Sequence, residues 1–298
     1  MSDSRSSIDV ISLGLNAVDN LFELDGFPRE DSKVNFRSWR RLPGGQAATA
    51  SCVASRLGFR AAYIGAVADD ENGRFAIAEL RKDRVDLSHL LVRKGSVSQF
   101  ACILVNQRRG TRTILWNKGP GIAVRPGELD FGFLRRARVF HCDGHNIPAE
   151  MKAARFCRAH GIITTIDTEN GDPAALRRLL RHIDHIIIPE DAVDRILGRR
   201  QGDSLARCRS LLKLGARAVV LTRGARGSVG HDGCAFVEVP ALKVKAVDTT
   251  GAGDVYHGAY IAGLLFGLDL FRRVKFANYV AAVKCRHFGA RGGAPTLA

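Results

Sequence analysis

Near its C-terminal end the chain reads Asp248-Thr249-Thr250-Gly251-Ala252-Gly253-Asp254-Val255-Tyr256-His257-Gly258-Ala259. A strand-like run precedes it, small residues make the turn, and an apolar helical run follows. Amides of Gly251, Ala252 and Gly253 at the start of such a helix converge on one concave spot of partial positive charge, suited to a phosphate or a developing phosphoryl charge. Glycine leaves room for the anion to come close. A carboxylate beside an anion hole repels what binds there unless it has chemistry to do, so Asp254 is the candidate general base for a hydroxyl proton during phosphoryl transfer. The plain alternative is a tight turn that Asp254 merely caps. A dinucleotide fingerprint is excluded, since the third glycine, Gly258, comes two positions late, and no Gly-x-x-x-x-Gly-Lys-Ser/Thr occurs. Histidines offer a metal alternative in His141 with His145, or His182 with His185, but neither pair has a third ligand.

Such a turn needs a scaffold, and the 298 residues read as a layered α/β protein. With 46% hydrophobic and 25% charged residues the composition excludes a wholly disordered chain. No repeat, low-complexity tract or Pro/Ser-rich linker divides it, so residues 1–298 are taken as one domain. Short β-rich runs alternate with helical ones, the pattern of a mainly parallel sheet between helices. Strands are expected over 10–15, 61–67, 139–142, 162–167, 185–188 and 218–222. Helices are expected over 46–57, closed by Gly58, and over 74–84, 149–160, 173–181 and 205–214. Two stretches break the rhythm. Residues 19–41 show no helical period, and 97–106 with 111–117 make a hairpin around Gln107-Arg108-Arg109-Gly110. Together they form a small β-sheet lid, made from about 19–41 and 97–117. A flap of few strands has one apolar face to bury, over a ligand or against a second flap.

Lys plus Arg number 45 against 30 Asp plus Glu, a net charge of +15 that calls for an anionic partner. The basic residues are dispersed, with pairs such as Arg40-Arg41, Arg108-Arg109 and Arg199-Arg200 the densest runs, which argues against nucleic acid. Seven scattered cysteines without a Cys-x-x-Cys pair fit a reducing compartment. The polar start lacks the apolar core of a signal peptide, and the longest uncharged apolar stretch, 255–268, is too short to span a bilayer. A cytoplasmic protein that binds no membrane is expected.

The turn around Asp254 resembles the C-terminal signature of the ribokinase-like (PfkB) carbohydrate kinase family. Pro43-Gly44-Gly45-Gln46-Ala47-Ala48-Thr49-Ala50, continuing to Ser55-Arg56-Leu57-Gly58, resembles its N-terminal signature. Gly14-Leu15-Asn16-Ala17-Val18-Asp19 is similar to its first strand, with a terminal aspartate that meets sugar hydroxyls. Tyr63-Ile64-Gly65-Ala66-Val67-Ala68-Asp69-Asp70 resembles the next strand and turn. Leu221-Thr222-Arg223-Gly224-Ala225-Arg226-Gly227-Ser228 resembles its nucleotide loop, and Gly289-Ala290-Arg291 with Ala294-Pro295-Thr296 its tail. The resemblance runs from about Val10 to Thr296. It implies a ribokinase-like three-layer core with a β lid, and a kinase that moves the γ-phosphoryl group of ATP to a sugar hydroxyl.

Carried over by position, Asp254 is the base and Gly251, Ala252 and Gly253 the anion hole. Asp19, Gly44 and Gly45 face the sugar. Thr222, Gly224 and Gly227 line ATP, with Asn278 beside the adenine. Asp248 and Thr250 match a loop that holds K+ in several members. The family's Asn-x-x-Glu is missing: its positions hold Pro189 and Ala192, and Glu190 is the nearest substitute for a water-mediated Mg2+ contact. Gly-Asp-Val-Tyr-His-Gly-Ala and Ala282-Val283-Lys284-Cys285 resemble the branch of ketohexokinases and sulfofructose kinases, implying a ketose or related small sugar touched by Asn117 and His145. His145 stands where sulfofructose kinases place an arginine, and a neutral imidazole substitutes poorly for a guanidinium. A nucleoside or sugar phosphate as acceptor, or a sensor on the same fold without turnover, are the alternatives. Pairing of lids in the family implies a homodimer.

Overall fold

The structure is a computed structural model and describes residues 8–108 and 111–297. Residues 1–7 and the Arg109-Gly110 half of the expected turn lie outside the described residues. In chain order the strands are β1 Ile8–Leu13, β2 Ala17–Leu24, β3 Ser38–Gly44, β4 Ala61–Ala68, β5 Leu90–Arg93, β6 Phe100–Asn106, β7 Thr111–Asn117, β8 Ala137–Cys142, β9 Ile163–Asp167, β10 His185–Pro189, β11 Ala218–Thr222, β12 Ser228–His231 and β13 Phe236–Val239.

Among the described residues the larger sheet runs β13-β12-β11-β10-β9-β8-β1-β4-β5. It is parallel except for β12 and β13 at one edge. Every residue of β1 and β4 is buried, as expected for parallel strands covered on both faces. β1 starts and ends two residues earlier than its apolar run suggests. Asp143 Oδ2 accepts the Leu15 amide at 2.6 Å and draws the chain out of the sheet. The helix expected from Arg74 starts at Glu71, because Asp70 caps it by accepting the Gly73 amide at 2.7 Å.

The second sheet, β3-β2-β6-β7, is the lid. β2 pairs β6 in parallel, and the other pairings are antiparallel. Asp19 therefore stands in the lid, level with Leu42 and Ala101, and not at the end of the first core strand. Behind the core, the helix Ala252–Leu265 is buried from Val255 to Gly263, between the helices Gln46–Arg56 and Leu270–Lys284. It is apolar all round because it has no solvent face.

Candidate active site

Residue Gly251 caps the helix Ala252–Leu265 in the left-handed conformation, φ 72°. A Cβ there would lie 2.4 Å from Ala290 Cα, so glycine is required by the turn and by its seat on Ala290. Gly253 faces open space, where a ligand can approach. The Ala252 amide donates to Thr249 O at 3.2 Å, while those of Gly251, Gly253 and Asp254 have no acceptor among the described residues. The concave donor set thus leans on Gly251, Gly253 and Asp254, with Ala252 turned into the loop.

The Asp254 carboxyl has no hydrogen bond or ion pair among the described residues and does not cap its helix, which Gly251 does. Burial pushes its pKa up to about 7; Asp167, Asp19 and Glu169 add to the rise and His257 opposes it. An unpaired carboxylate poised near neutrality is what a general base requires.

Behind it lies a buried polar chain of which sequence reasoning named only His145. His257 Nδ1 is 2.7 Å from Gly253 O and 3.2 Å from Asp167 Oδ2, and its Nε2 is 3.0 Å from Ile187 O. A neutral ring has one N–H: donated from Nε2 to Ile187 O, it leaves Nδ1 free to accept from a protonated Asp167. Burial lowers the His257 pKa, and its hydrogen bonds to Ile187 and Gly253 and the charge of Asp254 oppose that. Burial likewise holds Asp167 well above the carboxylate range. The Gln46 amide bonds Asp167, and His145 Nε2 lies 2.7 Å from Gln46 Oε1. Asp167 ends a parallel strand, the position from which such sheets present ligand groups, and that was the available signal.

Of two cavities, one borders this helix start. The larger, about 410 Å³, is lined by Thr222, Gly224, Gly227, Ala252, Gly253 and Asn278 among others. Asn278 reaches it with its polar atoms engaged: Nδ2 donates to Val239 O at 3.0 Å and Oδ1 accepts from Ser228 Oγ at 3.0 Å. The smaller, about 320 Å³, lies between lid and core and is lined by Gln99, Trp116, His145, Asn146, Asn170 and other residues. Asn117 is exposed next to that lining, and its Oδ1 accepts the Gly119 amide at 2.8 Å. Asp19 is packed against Gly44, where a Cβ would meet its Oδ2 at 2.3 Å. Burial raises its pKa to about 6 against the pull of Arg291. Gly45 caps the helix Gln46–Arg56.

Arg291, 3% exposed, was not foreseen as a site residue. Its Nη2 donates to Gly44 O at 2.7 Å and Asn16 Oδ1 at 3.2 Å, and its Nε to Thr49 Oγ1 at 3.3 Å. It ties the C-terminal tail to the glycine pair. From the lid, Arg112 Nη1 donates to Thr249 Oγ1 at 2.9 Å.

The metal candidates are differently placed. Glu190 accepts from Ser204 Oγ and, at 3.1 Å, from Arg226 Nη2, with Arg207 also nearby. It is absent from the lining of the larger cavity, so its carboxylate does not fit a magnesium contact without displacing Arg226. Asp248 Oδ1 accepts the Thr250 amide and Oδ2 the Gly289 amide, both at 2.8 Å, and Lys284 Nζ donates to Asp248 O at 2.8 Å. Among the described residues no three His, Cys, Asp or Glu side chains gather as a metal site, and no helix is long and apolar enough to cross a membrane.

The sequence model described as pfkB family carbohydrate kinase matches residues 8–297. The chain is 29% identical to an ATP-dependent ribose-1-phosphate kinase of Halopiger xanaduensis, over 97% of this chain and 95% of that protein. It is 27% identical to fructokinase-2 of Zea mays, over 97% and 92%. The structure of Arabidopsis thaliana ribokinase complexed with ribose and ATP superposes with a TM-score of 0.84 at 20% identity, over 97% of this chain and 96% of that one, a likeness of fold.

Proposed function

The chain belongs to the pfkB family of carbohydrate kinases, a phosphotransferase with a hydroxyl acceptor, and we propose that it transfers the γ-phosphoryl group of ATP to a small sugar, a ketose or a close relative. The observation that carries this is the unpaired Asp254 carboxyl beside free amides, at a helix start whose Ala252 and Gly253 line a cavity that fits a nucleotide. ATP lies in the larger cavity along Thr222, Gly224 and Gly227, its terminal phosphate against Gly251 and Gly253. The sugar lies under the lid, near Asp19, Asn117 and His145. Asp254 takes the hydroxyl proton as the oxygen attacks, and the amides hold the charge that builds on the phosphoryl oxygens. Lid and core exclude water, which keeps ATP from hydrolysis.

Magnesium, carried on the nucleotide phosphates, supplies charge neutralisation when bound. Glu190 carries no step here, because its oxygens are held by Ser204 and Arg226. The amide and imidazole groups around the smaller cavity suit a hydroxyl-rich acceptor, and Lys118, which also lines it, adds one positive charge. ADP release across ketoses, aldoses, sugar phosphates and nucleosides tests the assignment. Turnover is expected to be fastest on a ketose; preference for a nucleoside or a phosphorylated sugar replaces that substrate class. Tight binding with no turnover on any compound means a sensor.

The face of the lid opposite Trp116 presents Trp39 and Leu115, 52% and 56% exposed. A second copy of this sheet is the occupant we infer, giving a homodimer. Light scattering should read twice the 32.4 kDa chain mass at micromolar concentration, and Leu115→Glu should read as a monomer. A monomeric wild type removes the inference. All seven cysteines are unpaired, which favours a cytoplasmic setting.

A further inference from the structure

We propose that the Lys284 ammonium is the built-in cation of the anion-hole loop, so that this protein needs no potassium; the idea rests on the kinase assignment above. Lys284 ends the helix Leu270–Lys284 and is 0% exposed. An apolar residue would be far cheaper to bury there, so the charge is retained for what it touches. It touches the Asp248 carbonyl, three residues before Gly251, at 2.8 Å.

A potassium ion takes the place of its own hydration shell with several protein oxygens. In this loop the oxygens of Asp248 and Cys285 are already engaged. The two Asp248 carboxylate oxygens accept the Thr250 and Gly289 amides. The Cys285 carbonyl, which faces the loop, accepts from Val247 at 2.8 Å and Asp248 at 3.2 Å. The Asp248 carbonyl has the ammonium itself. The Thr250 hydroxyl is buried without a partner. Arg112 adds a second positive group at Thr249, so a further cation would be repelled.

Lys284 touches neither substrate nor ATP in this arrangement; it is a positioning residue. Its hydrogen bond fixes the Asp248 peptide, and with it the turn that aims the Gly251 and Gly253 amides outward. Its positive charge adds to the field that those amides present.

The test compares turnover in choline chloride, NaCl and KCl at constant ionic strength, with Mg·ATP and the best acceptor. The wild type should differ by less than about twofold between salts, and Lys284→Met should lose at least about tenfold in choline, largely restored by K+ or ammonium with little change in the sugar KM. Strong activation of the wild type by K+ overturns the proposal. So does a Lys284→Met protein as fast as wild type in choline, or one whose loss no monovalent cation repairs. Melting midpoints give a readout without catalysis: the wild type should melt alike in KCl and choline chloride, the variant higher in KCl. A wild type that melts higher in KCl also overturns it. If the variant fails to fold, the wild-type comparisons decide. A chain with no kinase activity would sink the functional assignment and leave the melting test intact.

Discussion

Asp254→Asn should lower turnover by at least about a hundredfold while the sugar still binds, the loss typical of a removed general base. Asparagine keeps the size and polarity of the side chain, so the cavities should be unchanged, but it cannot accept the hydroxyl proton. In the wild type the working form is the carboxylate, and its pKa is pushed up to about 7. The kcat/KM of the wild type should therefore rise with pH through that region, and the limb should vanish in the variant. Stability should move the other way. Between the ordinary carboxyl value of 3.8 and about 7, the folded state holds a proton that the unfolded state has released. Stability is thus lost as pH rises through that window. The substituted amide has no charge to desolvate, so the variant should melt at or above the wild type at pH 8, and the gap should close at pH 4. Full activity in the variant would end the assignment of Asp254 as base.

Gly251→Ala should remove both activity and stability, whereas Gly253→Ala should remove activity alone. At Gly251 a side chain must adopt φ 72°, at roughly 1–2 kcal/mol, and its Cβ would lie 2.4 Å from the Ala290 backbone. Either the turn or the tail must shift, and misplacing one such donor costs on the order of a hundredfold in turnover. At Gly253 a Cβ meets nothing, so the fold keeps its melting point or gains slightly from alanine in a helix, while the methyl stands in the space proposed for phosphate. Thermal melts alongside ADP release separate the two. A Gly253→Ala protein with wild-type turnover would take Gly253 out of the anion hole.

Much of the scaffold was legible because its punctuation is local. Gly45 and Gly58 frame the helix Gln46–Arg56, and the largely apolar runs of β4, β10 and β11 admit little but buried parallel strands. The helix Glu71–Lys82 was placed late because Asp70 reads equally as a turn residue and as a cap. The strands β12 and β13 are four residues each and carry glycine, histidine and glutamate, too short and mixed to show a period. The site divides in the same way. Asp254 and its glycines are adjacent in sequence. Asp167, His257 and Gln46 come from three elements, and only their meeting in space makes them a chain. Lys284 reads as an ordinary basic residue at a helix end, favoured there by the helix dipole, until its burial is known. Glu190 has suitable chemistry, but Arg226 and Ser204, which occupy it, lie 36 and 14 residues away in the chain.

Arg291 clasps the glycine pair from almost 250 residues further along, and Leu297 donates its amide to Arg56 O at 3.3 Å. During synthesis, therefore, Asn16 and Gly44 emerge from the ribosome long before the residue that braces them. A nascent chain can build much of its sheet early, but Gly44 and Asn16 stay unbraced until Arg291 has been made. Termination before Arg291 would leave a folded core whose glycine pair lacks its brace.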